Sequence, residues 1–291
     1  MRVLIASDLS EASDEAIRQG VELAGDGHVA VCHVMPELGI HALLPQEYED
    51  DMRWHMAQQP RIAGALQDQL SRLFPNRELS PEIFVELGSD YDQILRRAEL
   101  WQADLIALGT HGRRGISRLL LGSTADQVVR AAHCPVLVAR PARPGAVLAA
   151  VDFSDPGMPV VESAAAEAKR RSAKLVVMHA MEQPREGDAA MGLLGALPAL
   201  ETSQVHGQRR ALAAEILNSA LARLHVQGEI TIADEDAAHE TLRLAEALPA
   251  ALVVVGTHGR RGLSRWVLGS MASRIVEGAP CSVLIVREKS T

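Results

Sequence analysis

The chain has 291 residues, 47% of them apolar and 23% charged, with 29 basic against 37 acidic side chains and a net charge of −8. That balance excludes disorder and a collagen-like repeat, and the length allows about two packed domains. Acidity and a scarcity of aromatic residues (3 Trp, 2 Tyr, 3 Phe) argue against nucleic acid or an anionic membrane as the partner.

Taken in order, the first half alternates strand and helix. Residues 3–7 are a short apolar run of the kind found in a buried parallel strand. Ser10 stands where a helix cap belongs, with Glu11 behind it, and Ala12, Ala16, Ile17, Gly20, Val21 and Ala24 follow helical spacing. Residues 28–34 predict a second strand, and Ile62, Leu66, Leu70 and Leu73 line one face of a long helix. A strand over 82–87, a helix over 91–100, a strand over 105–108, a helix carrying Ala125, Val128, Val129 and Ala132, and a strand over 136–139 complete the half. The second half repeats the pattern, with strands near 147–151, 175–180, 229–233, 252–255 and 283–286. Such alternation predicts an α/β fold, a doubly wound, Rossmann-like parallel sheet with helices on both faces.

The chain is in fact written twice. Residues 109–123 read GTHGRRGISRLLLGS and residues 256–270 read GTHGRRGLSRWVLGS, identical at 12 of 15 positions. The flanks repeat as well: VLIASD from Val3 matches VLAAVD from Val147, and CPVLVAR from Cys134 matches CSVLIVR from Cys281. Two domains follow, residues 1–141 and 145–291, joined by the short linker Pro141-Ala142-Arg143-Pro144-Gly145. A linker that short predicts halves that pack together.

Each half carries the pattern Gly-x2-Gly-x9-Gly-Ser after its fourth strand: Gly109, Gly112, Gly122 and Ser123, then Gly256, Gly259, Gly269 and Ser270. Glycines let backbone N–H groups approach a ligand, and a helix opening at Gly122-Ser123 presents free amides and a positive dipole end, which together make a phosphate cradle. The pattern is neither the GxxxxGK[ST] loop nor the GxGxxG fingerprint. The competing reading is a tight turn that merely ends a strand.

With an aspartate ending the first strand, Asp8 and again Asp152, this spacing resembles the universal stress protein family over nearly the whole chain, as a tandem two-domain member. The resemblance implies two five-stranded α/β domains and ATP as the ligand, and a strand-end aspartate could orient a ribose hydroxyl or hold a Mg²⁺ brought by the phosphates. It implies that Asp8 and Asp152 line the ribose and adenine end, and that Val34 and Ala180, just past the second strand of each half, meet adenine through backbone groups. Gly109, Gly112, Gly122, Ser123 and Thr124 would hold ribose and phosphates in the first half, and Gly256, Gly259, Gly269, Ser270 and Met271 in the second. The family commonly dimerises through its last strand, so the halves are expected to pair with pseudo-two-fold symmetry, with a homodimer of chains as a further option. Two departures stand out: Gly88 aligns with the acid Glu235, and Thr124 with Met271, which ranks the first site above the second.

Other residues carry two readings each. Arg113-Arg114 and Arg260-Arg261 are either a solvated face or bidentate phosphate contacts that replace the missing lysine. Asp8 and Asp152 are either turn acids or ligand-facing. His111 and His258 fit a turn better than catalysis, and His33 and His179 are read as packed at the second strand's end. Cys134 and Cys281 read as small core residues. The apolar loops 39–45 and 191–198 are surface loops or a lid.

Three scattered cysteines without CxxC predict a reducing, cytoplasmic setting, and no HxxxH pair supports zinc. The start of the chain meets an acid at Asp8, after seven residues, too soon for a leader. The longest weakly apolar stretch, residues 189–200, falls short of the roughly 20 residues that a spanning helix needs. Three functions remain open: a nucleotide-binding stress-response module acting on a protein partner, a slow ATP hydrolase, and a nucleotide-free scaffold for another ligand.

Overall fold

The structure, a computed structural model, describes residues 1–36, 45–110, 121–153, 157–181, 203–257 and 268–287. In the first half, β1 (Arg2–Ala6), α1 (Glu11–Ala24), β2 (His28–Met35), α2 (Pro45–Leu73), β3 (Glu82–Leu87), α3 (Asp90–Leu100), β4 (Leu105–Gly109), α4 (Ser123–Ala131) and β5 (Val136–Ala139) follow one another. In the second, β6 (Val147–Val151), α5 (Gly157–Arg171), β7 (Leu175–Ala180), α6 (Ser203–Arg223), β8 (Glu229–Ala233), α7 (Ala237–Ala247), β9 (Leu252–Gly256), α8 (Ser270–Gly278) and β10 (Ser282–Val286) repeat the series. The predicted α/β alternation is thus present in both halves.

All ten strands form one sheet in the order β3-β2-β1-β4-β5-β10-β9-β6-β7-β8. Every pairing inside a half is parallel. The pairing between halves is antiparallel, with Leu137 opposite Leu284, Val136 opposite Ile285 and Val138 opposite Val283. The two last strands, which would otherwise be open edges, therefore satisfy each other across a pseudo-two-fold axis. One apolar cluster on each face of the sheet runs through both halves. On one face α3, α4, α7 and α8 pack over residues such as Val136, Val138, Val283 and Ile285. On the other, α1, α2, α5 and α6 pack over Leu137 and Leu284.

Reciprocal arginines lock this seam. Arg140, just past β5, sends its guanidinium to the C-terminal end of α8 in the other half, donating from Nη2 to Val276 O at 2.6 Å and from Nη1 to Cys281 O at 3.3 Å. Its two-fold counterpart Arg287, just past β10, donates to Val129 O and Arg130 O at the end of α4. Each arginine meets carbonyls that a helix end leaves without intrahelical donors, at the negative end of the dipole. Both are 8% exposed, and burial pulls both guanidinium groups below their ordinary range. Around Arg140 a closed ring forms: its N–H donates to Ser282 Oγ at 3.0 Å, Ser282 Oγ donates to Gln19 Oε1 at 2.8 Å, and Gln19 Nε2 donates back to Arg140 O at 2.7 Å.

The linker is held as firmly. Arg143 Nε donates to Ala250 O at 2.6 Å, and Ala142 N–H to Glu15 Oε2 at 3.2 Å. Gly145 has φ +155, and a Cβ there would lie 1.6 Å from Pro249 O, so only glycine lets the chain pass. Among the described residues no helix is long and apolar enough to cross a membrane.

All three cysteines are buried and free, and desolvation pushes the Cys32 and Cys134 thiols up to about 12 and raises that of Cys281. At pH 8 the folded chain should therefore resist iodoacetamide and take up three labels once unfolded in urea, counted by intact mass. A labelled folded chain would contradict the burial. Arg140→Met should lower unfolding free energy by about 2–3 kcal/mol, the cost of orphaned buried carbonyls, read as a shifted urea midpoint.

Candidate functional site

In each half the strand order reverses direction beside the first strand, with β1 between β2 and β4, and β6 between β7 and β9. Crevices at such switch points, beyond the carboxyl ends of the strands, are where doubly wound sheets hold ligands. Pairing of β1 with β4 ends at Ile5 opposite Ala107, short of Gly109, and pairing of β6 with β9 ends at Ala150 opposite Val255, short of Gly256. The strands part there, with Asp8 and Asp152 following one strand and Gly109 and Gly256 ending the other.

From one side come the strand-end aspartates. Asp8 sits in the β1–α1 turn, half-buried, and its Oδ1 accepts from Ser10 N at 3.1 Å and Ser10 Oγ at 2.5 Å. The turn role weighed for Asp8 is thus present in the structure. Asp152 occupies the same place after β6. The residue after each aspartate is left-handed, Leu9 at φ 64 and Phe153 at φ 57. Bulky side chains rarely adopt that conformation, which costs on the order of 1–2 kcal/mol. In the first half a polar network backs the turn: Leu9 N–H donates to Ser7 Oγ at 3.1 Å, Ser7 Oγ donates to Gln69 Oε1 at 2.9 Å, and Gln69 Nε2 donates to Asp14 Oδ1 at 2.7 Å. In the second half Val151 replaces the serine, and the Phe153 ring packs on His179 with centroids 4.0 Å apart.

From the other side come the glycine turns. Gly122 N–H donates to Thr110 O and Gly269 N–H to Thr257 O, both at 2.7 Å. Gly122 (φ −66, ψ 152) and Gly269 (φ −62, ψ 151) are the N-caps of α4 and α8, and neither offers a side-chain cap. The first turns, Ser123-Thr124 and Ser270-Met271, therefore present their N–H groups without the capping oxygen that Ser10 gives α1 or Asp236 gives α7. Ser123 and Ser270 are exposed, and Thr124 and Met271 are equally half-buried, so the Thr-to-Met difference leaves the helix start intact.

Gly109 answers a packing demand as well: a Cβ there would lie 2.7 Å from Ala12 O, where the end of β4 meets the start of α1. Val34 lies within β2, opposite Glu86, because the strand runs one residue past it to Met35. Ala180 is the last residue of β7, opposite Ala233. Glu235, aligned with Gly88, is two-thirds exposed and turned toward His239 Nδ1 at 3.4 Å. Gly112, Arg113 and Arg114 with His111, their counterparts Gly259, Arg260 and Arg261 with His258, and the apolar loops 39–44 and 191–198 lie outside the described residues. No group of three metal-ligating side chains occurs among the described residues.

Comparison with known proteins supplies the family. The profile of the Universal stress protein family matches residues 1–140 and again residues 145–287. A universal stress protein of Mycolicibacterium smegmatis is 27% identical over 302 residues, covering 99% of this chain and 97% of its own. One of Mycobacterium bovis is 31% identical over 200 residues, which covers 64% of this chain, and the chain spans 63% of that relative's length. A solved structure from Pseudomonas aeruginosa shares the fold at a TM-score of 0.69 and 18% identity, over 99% of this chain and 93% of its own. With the profile matched twice over a repeated α/β domain, the chain belongs to the universal stress protein family, as two of its domains in tandem.

Proposed function

We propose that the chain binds ATP, one molecule per half, and works as a nucleotide-dependent stress-response module that passes occupancy to a protein partner. The observation carrying this reading is the repeated pairing of an uncapped helix start with a parted strand end at both switch points. Helix starts of that kind favour phosphate through backbone N–H groups and dipole. With a net charge of −8, the chain must bind a polyanion through such local groups, against its overall field.

In this reading Gly122, Ser123 and Thr124 with Gly109, Gly112 and Arg113 hold ribose and phosphates, and Asp8 and Val34 meet the nucleoside. Gly269, Ser270, Met271, Gly256, Gly259, Arg260, Asp152 and Ala180 do the same in the second half. Mg²⁺ bound with the triphosphate would neutralise part of its charge. Asp8, in the turn after β1, would supply a carboxylate at that end of the first site.

Purified protein should release ATP on denaturation, at up to two per chain by mass spectrometry, and calorimetry should give matching stoichiometry. Phosphate release well above background, lost in Asp8→Ala, would shift the reading to a hydrolase. No nucleotide and no binding would leave only a scaffold. The Gly122 φ and ψ are open to valine. Gly122→Val should therefore fold normally yet weaken ATP at the first site by about tenfold or more, as side-chain atoms enter the cradle. Unchanged affinity there would remove the assignment.

A further inference from the structure

We infer that His33 and His179 are positioning residues for the nucleoside end of the two proposed sites: each imidazole holds the peptide that carries the strand-end aspartate. The inference rests on the nucleotide reading above. His33 Nδ1 lies 2.7 Å from Ser7 O and His179 Nδ1 2.8 Å from Val151 O, both rings being 8% exposed. A carbonyl oxygen only accepts, so Nδ1 carries the proton in both rings. The bond therefore exists in the neutral tautomer and in the imidazolium alike.

The carbonyls of Ser7 and Val151 belong to the peptides whose N–H groups are those of Asp8 and Asp152. Fixing that peptide plane fixes the direction from which each aspartate departs. In the first half the backbone has little else to offer at this point. The paired register of β1 and β2 ends at Ala6 opposite Cys32, and Ser7 N–H to Cys32 O at 2.9 Å is the last rung. The His33 side chain supplies the next one. By chain, His33 precedes Val34 and His179 precedes Ala180, so one imidazole ties together the two segments that face the nucleoside in each half.

The anchored turn is one that needs an anchor, because Leu9 and Phe153 are left-handed immediately after the aspartates. The halves support that turn by different means, a serine and glutamine network behind Leu9 and a ring contact between Phe153 and His179. The imidazole-to-carbonyl bond is common to both. A shared bond amid diverged surroundings points to the shared task, which is aiming the aspartate.

The test compares His33→Phe, which keeps a ring and loses the donor, with His33→Asn, whose amide reaches the Nδ1 position. Each is titrated with ATP and with inorganic tripolyphosphate, and the thermal midpoint is recorded. The same pair is made at His179. The phenylalanine variants should weaken ATP about tenfold at the altered site and leave tripolyphosphate within about twofold, because the phosphate cradle lies across the crevice. The asparagine variants should recover most of the ATP affinity. ATP affinity within twofold of the parent in the phenylalanine variants, or equal losses for ATP and tripolyphosphate, would overturn the inference. If a phenylalanine variant does not fold, His33→Gln and His179→Gln, whose amides sit one methylene too far, take its place with the same expected split. A parent chain that binds neither probe overturns the nucleotide reading itself, a result distinct from a parent that binds ATP and variants that match it.

Discussion

The pairing of β5 with β10 is the contact on which the rest of the molecule depends. Two four- to five-residue strands turn two separate sheets into one, and they do so with their inward residues at 0–6% exposure on both faces. A strand pair that short is marginal alone. Here it is reinforced by the exchange of Arg140 and Arg287, each reaching the helix end of the opposite half. An arginine buried against carbonyls is costly to desolvate and costly to orphan, so the arrangement favours one partner in one register. Continuity of both apolar clusters across the seam means that neither half closes its core without the other.

Much of this was legible in the sequence, for identifiable reasons. Periodicity marked the strands because parallel strands buried on both faces read as plain apolar runs, as in Val147–Val151. Internal repetition exposed the glycine turns and the boundary between halves without any second sequence. Arg140 and Arg287 showed only as repeated residues at strand ends, since their role appears once the two last strands face each other. His33 and His179 read as packed residues; packing was half the answer, and the bond to a neighbouring strand's carbonyl has no signature in spacing. Gly109 read as a ligand glycine, and the packing demand that a Cβ there would meet the Ala12 carbonyl appears only in the fold.

The halves also illustrate how a duplicated domain drifts. Where the first half has Ser7 and a buried polar network centred on Gln69, the second has Val151 in apolar packing. Where the first half has Gly88, the second has Glu235, exposed and turned toward His239. In each case the surroundings changed while the strand-end turn kept its left-handed residue, which places the constraint on backbone geometry more than on any one side chain.

Because every strand of one half runs opposite to every strand of the other, the two strand-end gaps open at opposite ends of the strands of a single sheet. The chain is therefore two-headed. The arginine-locked seam thus fixes how far apart the two strand-end gaps lie and makes them face opposite ways.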